Sequence, residues 1–235
     1  MAGKPEDMIC TVVAADTADR LEQAALSAPT RLVELRVDLL HTPPDRDTLR
    51  RIAVLIRELE SRGIGTVVTL RDSSEGGGFK GPPAFKEEVL LALAEAGPRY
   101  LDVEFSFPRR RSVVEAARRL GVKVILSAHV FDRVPRPGEL RAAAMEAFRL
   151  RASVFKAVFP ARSPRDNVAA LKLCDRWPGR VISFCLGRAG VVSRLLAPLF
   201  GAPFTYAYPD DGRPVAPGQL SVGEVIRLWR DMGIV

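Results

Sequence analysis

Cysteine is sparse in this 235-residue chain. Cys10, Cys174 and Cys185 lie far apart and form no ligand-spaced pair, which argues against a disulfide framework and against a zinc site, and fits a reducing cytoplasm. Long apolar runs are missing too. The opening MAGKPEDMIC has no apolar core after its lysine, and VVSRLLAPLFGAPF is broken by Arg194, Pro198 and Pro203, so neither a signal peptide nor a membrane span is expected. Three tyrosines and two tryptophans leave little for stacking on bases. The formal charge of +7 is spread among acids apart from PRRRS at Pro108–Ser112. That pattern speaks against nucleic acid as a partner and leaves small acidic ligands. Only two histidines, His41 and His129, and six lysines, among them Lys123 and Lys156, are present.

Eight short β-branched or apolar runs recur along the chain. They are Ile9–Ala14, Leu32–Val37, Thr66–Leu70, Tyr100–Phe105, Val122–Ala128, Ser153–Phe159, Arg180–Leu186 and Phe204–Tyr208. Segments of helical period lie between them, for example Asp45–Ser61, Phe85–Ala96, Ser112–Leu120, Pro137–Leu150 and Arg165–Asp175, with Ser221–Met232 last. Strand–helix alternation without a composition break predicts an α/β fold, a single-domain (β/α)8 TIM barrel over residues 1–235. A doubly wound open sheet is the alternative. It calls for a glycine fingerprint after the first strand, and VVAADTADR has none. The later GRAG, Gly187–Gly190, has the shape of an anion cradle but is a weak signal alone.

In such a barrel, chemistry gathers at the C-terminal ends of the strands. Polar residues there include Glu34, Arg36 and Asp38, Arg71 and Glu75, Asp102 and Glu104, Ser127 and His129, Lys156, Arg194 and Gln219. Lys156 stands out because SVFKAVFP is apolar on both faces, so its amine points into protein. A lysine paired with one carboxylate is the plain reading. An amine kept partly unprotonated by burial and nearby arginines, and thus able to attack a carbonyl, is the functional one. Lys123, at the start of its strand and so at the barrel bottom, is the control. His129, at the end of the neighbouring strand, is a candidate general acid and base, with Glu75 as the group that orients it. Glu34 and Arg36 share a strand face, either as an internal ion pair or, with Arg71, as a polar wall for hydroxyl groups. Arg194, near the amino end of the helix after GRAG, suits a carboxylate or phosphate. A lysine, a histidine, several guanidiniums and no metal constellation point to imine chemistry on a small oxygenated anion.

Together these motifs resemble the type I 3-dehydroquinate dehydratases of the shikimate pathway. The likeness rests on ELRVD at Glu34–Asp38, TLR followed by EGG at Glu75–Gly77, LDVE at Leu101–Glu104, the histidine after LSA, FKAVFPA, GRAGVVSR and APGQ, in order along nearly the whole chain. It implies a (β/α)8 barrel that dehydrates 3-dehydroquinate to 3-dehydroshikimate without metal or cofactor. Lys156 would form the imine, His129 would move protons and Glu75 would support it. Arg194 and Gln219 would hold the substrate carboxylate, and Glu34, Arg36 and Arg71 its hydroxyls. It also implies a homodimer, in the cytoplasm that the sparse cysteines fit. Two positions depart from the family pattern: Val215 stands where serine is expected before APGQ, and Cys185–Leu186 where serine and methionine are expected before GRAG. Pro209–Gln219 has the composition of a mobile lid. Two rivals stay open: another imine-forming lyase or aldolase barrel, and a catalytically silent ligand-binding barrel.

Overall fold

The structure is a computed structural model and describes residues 4–41 and 43–235. The first three residues, part of the opening segment that carries the no-leader expectation, lie outside the described residues. Eight strands alternate with helices in chain order. The strands are β1 Ile9–Val13, β2 Leu32–Arg36, β3 Gly65–Thr69, β4 Tyr100–Glu104, β5 Lys123–His129, β6 Val154–Pro160, β7 Val181–Leu186 and β8 Thr205–Ala207. The helices are α1 Ala18–Leu26, α2 Arg46–Ser61, α3 Pro83–Ala94, α4 Arg110–Arg119, α5 Pro137–Arg149, α6 Asn167–Arg176, α7 Val191–Leu196 and α8 Val222–Asp231.

Every ladder is parallel, and the order β7-β6-β5-β4-β3-β2-β1-β8 wraps the sheet into a nearly closed (β/α)8 barrel. Among the described residues no ladder joins β7 to β8. Side chains fill that seam: Phe184 on β7 meets Tyr206 on β8 edge to face, with ring centroids 6.1 Å apart. Strands β1, β2, β3 and β7 are buried at every position, because one face meets the barrel interior and the other meets helices. This is why their sequences are apolar runs rather than alternating ones.

Local chemistry sets the helix boundaries. Asp45 accepts the Thr48 amide at 2.8 Å to start α2, and Ser221 caps α8 in a reciprocal box with Glu224. Trp229 of α8 is fully buried in a cluster with Ile9, Leu195, Ala207, Val222 and Val225, and its indole N–H donates to the Leu195 carbonyl at 2.9 Å. That cluster fastens the last helix across β1 and β8. Lys123 is exposed at the foot of β5, as its position at the strand start predicts. No helix among the described residues is long and apolar enough to cross a membrane.

Helix α7 differs from expectation. It has only six residues, so Arg194, its fourth, is near the amino end and already in the last turn, and Pro198 lies in the 3-10 turn Ala197–Phe200 that follows. Arg188–Gly190 forms a separate 3-10 turn ahead of it.

Candidate active site

Period-two alternation carries Glu34 and Arg36 of β2, Lys156 and Val158 of β6, Phe184 and Leu186 of β7 and Tyr206 of β8 to the barrel interior, where all line one cavity of about 260 Å³. Arg71, Glu75, His129, Arg194 and Gln219 line the same cavity. The eight residues singled out from the sequence therefore meet in one place.

Lys156 is 5% exposed. Its Nζ lies 3.2 Å from Asp102 Oδ2, 3.9 Å from Glu34 Oε1 and 4.2 Å from the centroid of the Tyr206 ring. Asp102 is held far below the usual carboxylate range: burial pushes it up, but the charges of Arg71 and Lys156 and the Ser127 hydroxyl prevail. Arg71 donates to Asp102 Oδ1 and to Ser127 Oγ, both at 2.7 Å, and comes within 3.9 Å of Glu75. Burial lowers its pKa, but the surrounding carboxylates raise it above the ordinary guanidinium value, so it is a permanent charge here.

His129 is joined to Glu75 through Nδ1 at 3.0 Å. Glu75 is itself fixed by the Ser106 hydroxyl. Burial, then the charges of Arg71 and Lys156, push the imidazole well below its ordinary value. Neutral imidazole that gives its Nδ1 proton to Glu75 keeps the Nε2 lone pair for a base. Glu75 is pushed upward, chiefly by burial.

The ion pair considered for Glu34 and Arg36 does not form. Arg36 instead grips Asp38 through two nitrogens at 2.9 and 2.7 Å, and Glu34 accepts the Thr69 hydroxyl at 2.7 Å. Both remain available along the cavity wall. Arg194 is buried over Phe184, with the guanidinium carbon 4.3 Å from the ring centroid, and neither Nε nor Nη2 has a partner among the described residues. Burial lowers its pKa to about 10, so it is still cationic near neutrality. An unpaired buried guanidinium at a cavity is a ready partner for an anion.

Of the segment Pro209–Gln219, Val215, Ala216, Pro217 and Gln219 line the cavity, while Pro209, Asp210 and Asp211 lie beside α1. Gln219 Oε1 accepts the Val215 amide at 2.9 Å, which leaves the side-chain amino group as a donor. At GRAG the Gly187 amide donates to the Pro217 carbonyl at 3.0 Å, so that one donor is taken up by this segment. The approach is close enough that a Cβ on Gly218, at φ +75°, would stand 2.4 Å from the Gly187 oxygen. Val215 and Ala216 make this wall of the cavity apolar.

Asp102, Ser106 and Tyr206 carry much of this geometry and were not assigned roles from the sequence. Asp102 was visible as a polar strand residue. Nothing in the sequence tied Ser106 to Glu75, or Tyr206 to Lys156.

A barrel mouth with a strand lysine beside carboxylates, a carboxylate-oriented imidazole and an open guanidinium has the chemistry of an imine-forming enzyme acting on a carbonyl-bearing anion. Comparison with known proteins narrows this class. The family model for type I 3-dehydroquinase matches residues 9–234. A 3-dehydroquinate dehydratase of Dehalococcoides mccartyi is 33% identical over 229 residues, covering 95% of both chains. One from Pyrococcus abyssi is 32% identical over 226 residues, covering 96% of this chain and 99% of its own. The solved 3-dehydroquinate dehydratase of Geobacillus kaustophilus shares the fold with a TM-score of 0.84 at 24% identity, over 97% of this chain and 91% of that one. The chain belongs to the type I 3-dehydroquinase family.

Proposed function

We propose that this chain dehydrates 3-dehydroquinate to 3-dehydroshikimate in the shikimate pathway, with Lys156 as the imine-forming residue. The observation that carries the reading is the convergence of Lys156, His129–Glu75 and unpaired Arg194 on one cavity. Arg194 and the Gln219 amide bind the substrate carboxylate, while Glu34, Arg36 and Arg71 meet its hydroxyls. The Lys156 amine adds to the ketone carbon, and loss of water gives a protonated imine. This electron sink acidifies the adjacent C–H, and neutral His129 removes that proton. The imidazolium, supported by the Glu75 carboxylate, then protonates the departing hydroxyl. Hydrolysis of the product imine frees Lys156.

The same reading takes residues 1–235 as one catalytic domain working as a cytoplasmic homodimer. Exposed Val168, Val192, Leu199 and Phe200, on α6, α7 and the turn that follows, supply an apolar surface that supports self-association. Sedimentation velocity tests it, and a monomer at all concentrations contradicts it.

Turnover is the test of the function. Purified protein with 3-dehydroquinate should generate the conjugated enone absorbance of 3-dehydroshikimate, and Lys156→Met should abolish it with an unchanged circular dichroism spectrum. A wild-type chain that binds product without turnover would instead be a silent barrel.

A further inference from the structure

We propose that Asp102 is the counter-ion of the Lys156 imine, a positioning residue that holds the reacting nitrogen from beneath the cavity without touching substrate. The proposal rests on the reading of Lys156 as the imine-forming residue. Asp102 has no exposed side-chain surface and is absent from the cavity wall, whereas Glu34, the other carboxylate near the amine, lines that wall. Glu34 thus faces the cavity and Asp102 does not. Asp102 is also the more firmly held. Its Oδ1 accepts Ser127 Oγ at 2.6 Å and Arg71 at 2.7 Å, so Oδ2, 3.2 Å from Nζ, is the oxygen left for the amine.

The charge balance of the reaction gives this anion continuous work. An ammonium and a ketone give a protonated imine and water, with one N–H kept on nitrogen and one positive charge before and after. The amine proton that must leave before attack returns in the loss of water. Asp102 Oδ2 therefore already lies beside the nitrogen that carries the charge of the protonated imine, and a preorganised anion needs no rearrangement to meet it. Asp102 is not the acceptor of the departing proton, since Arg71, hydrogen-bonded to its Oδ1, keeps it ionised after Lys156 has become neutral. The other titratable groups around the amine are Glu34 on β2, His129 on β5, Cys10 on β1 and Tyr206 on β8, with Arg71 behind Asp102. Of these, Glu34 is the only other carboxylate, and its Oε1 already accepts the Thr69 hydroxyl.

The experiment is single-turnover borohydride trapping at pH 7 of wild type, Asp102→Asn, Asp102→Glu and Ser127→Ala with 3-dehydroquinate, read as labelling rate per folded enzyme alongside kcat and KM. The Asp102→Asn variant should lose about tenfold to a hundredfold in labelling rate and kcat, the range for one charge-assisted hydrogen bond, with KM little changed. Asp102→Glu should regain part of the rate, and Ser127→Ala should fall between wild type and Asp102→Asn. A merely structural role would lower the labelled amplitude and leave the rate per folded enzyme unchanged, and that result overturns the proposal. Where Asp102→Asn does not fold, a wild-type rate in Ser127→Ala overturns it. Wild type that turns over without label on Lys156 rejects the imine reading itself, a different failure.

Discussion

His129 donates to one oxygen of Glu75 twice, through its backbone amide at 3.2 Å and through Nδ1 at 3.0 Å. The carboxylate therefore fixes both the chain position and the ring orientation. Replacing Glu75 with Gln keeps the shape but removes the charge that supports imidazolium. The loss of one charge-assisted hydrogen bond, about 1.5–3 kcal/mol, lowers kcat about tenfold to a hundredfold. Stopped-flow or steady-state turnover checks it, and undiminished kcat removes Glu75 from the mechanism.

The depressed imidazole sets the pH behaviour. A base must be unprotonated, and burial beside Arg71 and Lys156 keeps His129 so below its ordinary 6.5. The acid limb of kcat/KM should thus lie well below pH 6.5 and move lower still in Glu75→Gln, where the anion that favours the cation is gone. The linked effect on stability has a fixed sign. Unfolding releases an imidazole that binds a proton as pH falls through about 6.5, so this group's contribution is intact above that pH and is lost below it. Denaturant titrations from pH 7.5 to 5 should show a shallower decline for His129→Ala than for wild type.

Arg194 is a buried cation with open donors. Arg194→Met should raise KM about tenfold to a hundredfold, the value of one charged hydrogen bond of about 1.5–3 kcal/mol, and change kcat less. Thermal stability should hold or rise, because a desolvated unpaired charge has been removed. A KM within twofold of wild type would place the carboxylate elsewhere.

Val215 puts a methyl pair on the cavity wall, and its amide is already committed to Gln219. Val215→Ser supplies a hydroxyl donor at that wall and should lower KM by up to about tenfold, consistent with a gain near 1.4 kcal/mol. Unchanged KM would show that the wall does not reach the carboxylate.

Trp229 tests the fold independently of the site. Trp229→Ala removes a fully buried side chain and the hydrogen bond to Leu195 and should cost about 3–5 kcal/mol in urea unfolding. Folded enzyme should keep its kcat, since α8 packs behind β1 and β8 rather than at the mouth.

Lys156 was legible in the sequence because a lone cation in a strand with two apolar faces has few destinations in a barrel. Glu34, Arg36 and His129 were legible for a related reason: strand period two fixes which side chains share an interior. Asp102 was visible, but its pairing with Lys156 was not. That pairing depends on barrel stagger, since Asp102 lies level with Ile125 on β5 while Lys156 lies level with Ser127. Arg194, the fourth residue of α7, also falls in its last turn, because α7 stops at Leu196 where the 3-10 turn holding Pro198 begins, and sequence does not show how short that helix is. Sequence shows the donors of GRAG but not that the Gly187 amide is already taken by the Pro217 carbonyl.

The central claim is a covalent bond between Lys156 and the substrate carbon. Borohydride added during turnover of 3-dehydroquinate, followed by peptide mass analysis, reads that bond directly. A reduced ligand adduct is expected on the peptide carrying Lys156, with loss of activity in step with labelling and no adduct in Lys156→Met. Sustained turnover with no adduct on Lys156 would contradict the claim.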